Sequence, residues 1–138
     1  MSLTFEMKDF SPQVLAEFED RLEVGLDECG VEGELYAVAA LEGSPRRVDT
    51  GLLKNSITHA LAGQEPAKGT YTSDDGSKSG SYEGAAPSGG KSVYIGTNVD
   101  YAGYVHDGTS KMAANPFIKT AMGHGDRYKQ IIERALKG

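Results

Sequence analysis

Three residues whose side chains could do nucleophilic chemistry lie close together in the chain: His106, Asp107 and Ser110. A catalytic triad needs a nucleophile, a general base and an orienting carboxylate that converge in space. Because adjacent residues do not face each other on a helix or a strand, His106 and Asp107 are not expected to form such a relay. We therefore do not expect this part of the chain to be a hydrolase site.

Other residue types that carry chemistry are sparse. His59, His106, His124 and the single cysteine, Cys29, lack any spacing typical of a zinc site. The run GAAPSGG at 84–90 resembles a phosphate-binding loop only in its glycine content, since no Gly-Lys-Ser/Thr ending and no predicted helix follow it. The sequence predicts no catalytic residue, no metal site, no cofactor and no enzyme activity.

Length and composition favour one domain over residues 1–138. No apolar run is long enough to span a membrane, and the start MSLTFEMKDF lacks the basic and apolar regions of a signal peptide. One cysteine cannot form an internal disulfide, which favours a protein made in a reducing cytoplasm.

Charge is divided unevenly along the chain. Residues 1–42 hold eleven acidic and two basic residues, a net charge of −9, whereas residues 43–138 hold nine acidic and twelve basic residues, a net charge of +3. Two readings fit: copies could pair head-to-tail through opposite charges, or the acids could form the solvated face of a helix. The acidic part is not expected to bind nucleic acid, because phosphates would repel it.

The stretch from Val93 to Thr109 is the most apolar and aromatic part of the second half of the chain. Alternation from Val93 to Gly96 predicts a strand with Val93 and Ile95 on its buried face, and a turn follows over 97–100. A short helix is predicted next, with these residues on one face: Tyr101, Tyr104 and Val105. Gly108 then ends the helix with a positive φ angle.

The N-terminal part predicts one long amphipathic helix. Ser11 is placed as its N-cap and Pro12 at its first position. Apolar residues recur at helical spacing from Val14 to Leu41, and Gly43-Ser44-Pro45 ends the helix. Glycines at 25, 30 and 33 weaken the helix, and we expect a bend near 30–33.

The chain between 48 and 62 predicts a brief helical turn followed by a strand. Asp49 or Thr50 would cap the turn, and 56–62 reads as the strand. His59 falls on the same strand face as Ile57 and Leu61, where a charged ring would be costly. A neutral or edge-located histidine is therefore expected there.

Residues 63–90 form a long Gly/Ser-rich connection. Because its few apolar groups, chiefly Tyr71 and Tyr82, cannot offset the entropy of ordering it, we expect a mobile, protruding arm. Residues 69–73 and 79–82, joined through Asp75-Gly76, could pair as a hairpin if a partner surface supported them.

After the central stretch, Asn115-Pro116 is expected to open a helix with Phe117, Ile118, Ala121 and Met122 on its apolar side. Asp126 is placed as the cap of a final helix over the rest of the chain. These elements together predict an α+β fold in which the long first helix and the C-terminal helices pack on a small antiparallel sheet.

Three segments in this order resemble the gene-10-product-like family of tailed-phage neck proteins, which are head–tail joining or tail-completion proteins. The first is DTGLLKNSI at 49–57, the second YAGYVHDGT at 101–109, and the third NPFIKTAM at 115–122. The segments contain these candidate motif or interface residues: Thr50, Gly51, Leu52, Ser56, Tyr101, Tyr104, Val105, His106, Gly108, Thr109, Pro116 and Phe117. His106 departs from the family pattern, in which a glutamate is more usual.

The resemblance implies a structural virion protein, made in the cytoplasm of the host bacterium and located in the neck of the particle. It implies a ring of identical copies, such as a hexamer, between the capsid connector or adaptor and the tail tube or tail terminator. DNA would pass through the lumen without specific binding, and an acidic first helix lining that lumen, with Glu17, Asp20 and Glu28, would keep DNA from sticking. The 63–90 arm, with Tyr71, Asp75 and Tyr82, is expected to contact a neighbouring subunit or the tail.

Two alternatives remain open. The chain could be an interaction module outside the virion, such as a tail-assembly accessory protein. The chain could also be a small hydrolase that uses His106. This alternative predicts that His106→Ala abolishes a hydrolytic activity. For the motif residues, maintenance of the fold is favoured over direct contact with a partner: Gly51 and Gly108 as turn glycines, and Pro116-Phe117 as a helix start with a core aromatic.

Overall fold

The computed structural model describes residues 2–4, 12–66 and 69–137, without the side chains of 2–4 and 12–18. Ser11, expected as a helix cap, lies outside the described residues. The helices are α1 (Pro12–Glu42), α2 (Leu52–Ser56), α3 (Ala102–Asp107), α4 (Phe117–Met122) and α5 (Gly125–Lys137). The strands are β1 (Ser2–Thr4), β2 (Thr58–Leu61), β3 (Thr70–Thr72), β4 (Ser79–Ser81) and β5 (Ser92–Gly96).

The strands form two small antiparallel sheets. One has the order β1-β5-β2, and the other is the hairpin of β3 and β4. On β5, Val93 and Ile95 are buried while Tyr94 and Gly96 are half-buried, as the alternation predicts. The predicted α+β fold, with helices on a small antiparallel sheet, is confirmed.

Helix α1 is the element on which the others pack. It contacts α2, α4, α5, β2 and β5. Two apolar clusters lie along it. One joins Leu22, Leu26 and Cys29 to α5, and the other joins Ala37 and Leu41 to α2, α3 and α4.

The glycines of α1 lie at close contacts with other elements. The helix runs without a break through 30–33, the region where we expected a bend. A Cβ on Gly25 would stand 2.9 Å from Ala135 Cβ, and one on Gly33 would stand 2.0 Å from Ile95 Cδ1. These positions therefore let α5 and the sheet approach the helix backbone.

Two predicted element boundaries need correction, and a third is confirmed. The strand predicted over 56–62 is shorter, because Ser56 belongs to α2 and its hydroxyl donates to the carbonyl oxygen of Leu53 at 2.6 Å. Helix α5 begins at Gly125, so Asp126 lies in its first turn and is not its cap. Helix α4 begins at Phe117, directly after Asn115-Pro116 as expected.

Candidate functional site

The three segments that carry the family resemblance pack together in one core cluster. Leu53 and Ile57 come from the first segment, Val105 from the second and Phe117 from the third, and all four are buried. The segments are separated by up to about 60 residues in sequence, yet they share this cluster with the C-terminal part of α1. They therefore form one structural unit.

The start of α2 depends on glycine at position 51. Gly51 has a φ of 85°, in the left-handed region, and a Cβ there would stand 2.5 Å from the carboxyl carbon of Asp74. The N-cap of α2 is Gly51, which makes no side-chain cap hydrogen bond, so the expected cap by Asp49 or Thr50 is wrong. The side-chain oxygen of Thr50, one residue earlier, accepts the backbone N–H of Leu52 at 3.3 Å. Thr50 and Gly51 are thus placed by the fold, while Leu52 is half-buried.

Ser56 connects the first segment to the turn after β5. Its hydroxyl is buried and lies 2.5 Å from the hydroxyl of Thr97. Thr97 in turn accepts the backbone N–H of Val99 at 3.1 Å. The serine is a structural hydrogen-bonding residue and points to no reaction.

His106 makes contacts that the sequence analysis did not expect. Its Nδ1 lies 2.9 Å from Asp107 Oδ1, so the prediction that these neighbours would not meet is wrong. The reason is that Asp107 is the last residue of α3, where its side chain can turn back toward the ring. The backbone N–H of Lys119 donates to His106 Nε2 at 3.3 Å, and the ring packs edge-on against Phe117.

This arrangement leaves His106 unsuited to act as a general base. The nitrogen that would accept a proton from a nucleophile, Nε2, already accepts the N–H of Lys119. Nδ1 must then carry the proton that it shares with Asp107. His106 therefore joins the end of α3 to the first turn of α4.

Gly108 and Asn115 complete the join between the second and third segments. Gly108 has a φ of 79°, as expected, and a Cβ there would stand 2.8 Å from the backbone nitrogen of Ala114. The backbone N–H of Asn115 donates to the carbonyl of Val105, and its side-chain amide donates to the carbonyls of Ala40 and Pro45 at 2.7 and 2.8 Å.

The sequence predicts no tertiary role for Asn115. Its position before Pro116 marks a helix start in the sequence. The two carbonyls that its amide binds are about 70 residues away in the chain, so no local pattern could reveal them.

Tyr101 and Tyr104 remain exposed while Val105 is buried, so the three do not share one buried helix face. Tyr101 lines an open cavity of about 320 Å³. Four basic residues and one acidic residue also line it: Arg46, Arg47, Lys54, Lys78 and Asp49. The mouth of this cavity is therefore basic.

A second cavity, of about 440 Å³, lies on the outer face of the sheet. Ala60 of β2 and Tyr94 of β5 form part of its wall, and residues 82–87 form another part. Tyr94 and Tyr101 thus line different cavities. Both nitrogens of His59, which also lines this cavity, already contact carboxylates of α1.

The hairpin within 63–90 packs on its own chain. Tyr71 is buried, and its hydroxyl donates to Asn98 Oδ1 at 2.5 Å. Asn55 of α2 donates to the carbonyl of Thr72 at 2.7 Å and to Asp74 Oδ1 at 3.1 Å. The expectation of a mobile arm without internal support is wrong for the hairpin, because α2 supplies the supporting surface.

The other two arm candidates also have local roles. The hydroxyl of Tyr82 donates to the carbonyl of Asn55 at 3.2 Å. Asp75 accepts the backbone N–H and the hydroxyl of Ser77 within the turn, and these hydrogen bonds lower the pKa of its carboxyl to about 2. Asp75 is exposed, as are its neighbours from 74 to 79.

His59 lies between two carboxylates of α1. Its Nδ1 is 2.8 Å from Glu34 Oε1, and its Nε2 is 2.8 Å from Asp27 Oδ1. The hydrogen bond with Glu34 raises the pKa of His59, burial opposes that effect, and the hydrogen bond with Asp27 adds to it. The expectation of a neutral or edge-located histidine holds for its position, since β2 is an edge strand of its sheet. The carboxylates that raise the pKa of His59 come from a helix that the strand pattern does not contain.

Several other acids of α1 also pair within the chain. Glu28 contacts Arg134 at 2.7 Å and Glu32 contacts Arg127 at 3.0 Å, both on α5. Glu19 contacts Lys91 at 2.5 Å. Much of the charge asymmetry along the sequence is therefore neutralised inside one copy.

The described residues contain no group of three or more potential ligands that could hold a metal ion. Cys29 is fully buried, and burial raises the pKa of its thiol to about 12. None of the helices in the described part of the chain is long and apolar enough to cross a membrane.

Comparison with protein-family models, with curated proteins and with solved structures finds no match. The fold and the residues therefore define an α+β protein whose family the comparisons do not show.

Proposed function

We propose that the chain is a structural subunit of the neck of a tailed bacteriophage, where it joins the capsid connector to the tail. The observation that carries the proposal is the convergence of the three resembling segments in one cluster through Leu53, Val105 and Phe117. Segments that contribute to a family's fold in this way are expected to pack together. The resemblance then extends from three short sequence segments to the structural unit that they form.

The roles of the motif residues divide by exposure. Thr50, Gly51, Ser56 and Gly108 hold backbone and turn geometry, as described above. The exposed side chains are available to partners, and they include Tyr101, Tyr104 and Thr109. A joining protein would use these exposed groups, together with the 74–79 turn of the hairpin, against its neighbours.

The proposed partners are further copies of the chain in a ring, the connector or adaptor on one side and the tail tube or terminator on the other. Asp20 of α1 is an exposed carboxylate that a passing DNA would not bind, because phosphates repel it, whereas Glu28 of the same helix is paired with Arg134. A ring in which α1 faces the lumen would use Asp20 in this way. A ring structure with Asp20 on its outer surface would remove this part of the proposal.

The test of the proposal is particle assembly by a phage genome that carries the gene for this chain. Inactivating the gene should give DNA-filled heads and separate tails that do not join, seen by electron microscopy. Supplying the intact chain from a plasmid should restore joined particles. A matched control supplies a chain with Gly125→Ala, since Gly125 is exposed, lies outside the three segments and has no atom within 4 Å of an added Cβ.

Quantification of the chain in purified particles separates the proposal from its alternative. A ring predicts a small, fixed copy number in each particle. A chain that is needed for joining yet missing from finished particles would be an assembly accessory protein. Joined, infectious particles that form without the chain would contradict both.

A further inference from the structure

Large apolar side chains are exposed at two places on the described part of the chain, and we propose that these places dock on each other between neighbouring copies. The first, called here the α1 stripe, consists of Val24, Val31 and Leu35, which are 65, 43 and 62% exposed. The second, the tyrosine patch, consists of Tyr101 and Tyr104, which are 42 and 65% exposed. The inference rests on the proposed function, because it assigns the contact by which ring subunits would join.

The α1 stripe is a continuous feature of the helix. Its members follow at steps of seven and four residues, which places them on one line along the helix. The opposite face carries Leu26, Cys29 and other residues buried in the core. A helix that is apolar on two opposite faces has one face satisfied by the core and one left for a partner.

Acidic residues flank the stripe. Asp20 precedes Val24 by four residues, and Asp27 lies between Val24 and Val31 at the same helical spacing. Both carboxylates are exposed. Asp20 makes no ion pair in the described ranges, whereas Asp27 is paired with His59 at 2.8 Å. A partner surface that combines apolar groups with positive charge would therefore fit the stripe.

At Tyr101 the tyrosine patch offers that combination, while the exposed acids Asp100 and Asp107 lie near Tyr104 in the sequence. Tyr101 shares the wall of the basic cavity with Arg46, Lys54 and Lys78. Lys54 is only partly satisfied within the chain, by a contact of 3.4 Å with Asp74. Tyrosine is also suited to interfaces, because its ring buries a large apolar area while its hydroxyl stays hydrogen-bonded.

Docking of stripe against patch is favoured over docking of stripe against stripe. Two stripes face to face would bring Asp20 of both copies together, and like charges at close range are destabilising. One copy cannot satisfy its own stripe, because buried Val105 holds α3 on the core side of α1. A stripe-to-patch contact leaves one free surface of each kind at the ends, so it propagates until a ring closes.

The contact is tested by mixing two variants, each of which lacks one surface. The stripe variant carries Val31→Asp and Leu35→Asp, and the patch variant carries Tyr104→Asp. Sedimentation velocity should give an assembly larger than a dimer for the wild type and a monomer for each variant alone. An equimolar mixture should give a dimer, since the patch of the stripe variant still meets the stripe of the patch variant.

A control variant, Gln130→Asp, adds the same charge at an exposed position of α5 and should assemble like the wild type. Circular dichroism checks that all variants retain the helical content of the wild type. A wild type that stays monomeric at every concentration would overturn the inference. So would a stripe or patch variant that assembles like the wild type, or a mixture that stays monomeric.

The outcome is separable from that of the proposed function. If the chain assembles head-to-tail in solution but is missing from particles, the contact between copies is supported and the neck assignment is contradicted. If the chain is found in particle necks but both variants still assemble in solution, the neck assignment is supported and this contact is contradicted.

Discussion

Gly30 of α1 lies against the imidazole ring of His59 on β2, so close that a Cβ on residue 30 would stand 2.2 Å from His59 Cδ2. The same approach places the two ring nitrogens 2.8 Å from Asp27, three residues before the glycine, and from Glu34, four residues after it. The missing side chain at residue 30 is therefore a condition for the contact between the helix and the sheet.

Gly30→Ala should destabilise the protein even though alanine favours a helix by about 1 kcal/mol. The added methyl would also meet His59 Cγ at 2.5 Å and Cβ at 2.9 Å, so the ring and its strand would have to move. We expect a net loss of roughly 1–3 kcal/mol in the free energy of unfolding, typical of overpacking. Urea denaturation measures it.

Gly103→Ala is the matched control for that change. Gly103 lies in α3, and no atom would approach its added Cβ within 4 Å. This variant should be as stable as the wild type or more stable by up to about 1 kcal/mol. If Gly30→Ala also gained stability, the close packing of His59 on α1 would be contradicted.

The carboxylates around His59 make stability depend on pH. The pKa of His59 is raised in the folded protein, chiefly by its hydrogen bond with Glu34. The folded state therefore binds a proton that the unfolded state releases at lower pH. The stabilisation is complete below the unfolded pKa of about 6.5 and is lost as pH rises through the folded value.

Comparison of the wild type with His59→Gln isolates this effect. At pH 6 the variant should be less stable by about 1.5–3 kcal/mol, the range for hydrogen bonds to charged groups. The difference should shrink as the pH is raised above 6.5 in urea titrations. Glu65 lines the same surface as the histidine, and Glu65→Gln is the control in which the pH dependence of the wild type should persist. A difference that is constant with pH would mean that the ring is not charged in the folded state.

The features that sequence predicted correctly depend on local periodicity. The long helix from Pro12, the buried face of β5 and the hairpin at 70–81 each follow from neighbouring residues and turn signals. The hairpin needed a supporting surface, which the sequence analysis stated as a condition. It could not identify α2 as that surface, because Asn55 and Thr72 meet only after the chain folds.

The features that sequence missed depend on contacts between distant residues. Glu28 and Arg134 are 106 residues apart, so the acids of α1 looked unpaired in sequence and are paired in the fold. Gly33 looked like a weak point of a helix and is a close contact with Ile95. The sequence shows which residues are acidic and which are glycine. Whether an acid is paired or a glycine is a close contact depends on the neighbour that the fold places beside it.

Gly51→Ala should lower the free energy of unfolding by more than the positive φ angle alone would explain. An L-residue at a φ of 85° costs about 1–2 kcal/mol, and the new Cβ would also meet the Asp74 carboxylate at 2.5–2.6 Å. We expect a loss of roughly 2–4 kcal/mol in the free energy of unfolding, because the hairpin would be pushed from the start of α2.

Gly76→Ala separates the two contributions. Gly76 has a φ of 77°, but no atom lies within 4 Å of its added Cβ. It should therefore show the backbone cost alone, about 1–2 kcal/mol. Equal losses for the two variants, measured by chemical denaturation, would contradict the contact between Asp74 and residue 51.

The thiol of Cys29 should be unreactive in the native protein. It is fully buried, its pKa is raised to about 12, and its Sγ lies 3.6 Å from the carbonyl oxygen of Tyr128. A disulfide reagent at pH 8 should label it at least about 1,000-fold more slowly than the urea-unfolded chain, because opening of a core site costs several kcal/mol. Rapid labelling of the native protein would contradict the packing of α5 on α1.

Asn115→Ala should be among the most destabilising changes that remove a polar side chain. The amide donates to the carbonyls of Ala40 and Pro45, which lie at and just after the end of α1, while the residue itself is only 3% exposed. Its loss would leave two carbonyls without this donor and a gap where the end of α1 meets the start of α4. Because each such buried group costs about 1–3 kcal/mol, we expect a loss of about 2–4 kcal/mol in the free energy of unfolding.

Asn98→Ala is the matched control for that prediction. The amide of Asn98 also donates to a carbonyl, that of Ser81, and its side-chain oxygen accepts from Tyr71, but Asn98 is exposed and water can replace it. The control should lose less than half as much stability as Asn115→Ala. If the two variants lost equal stability in urea, Asn115 would not be the residue that fastens the third segment to α1. The segments that resemble the phage family would then be held together by their apolar contacts alone.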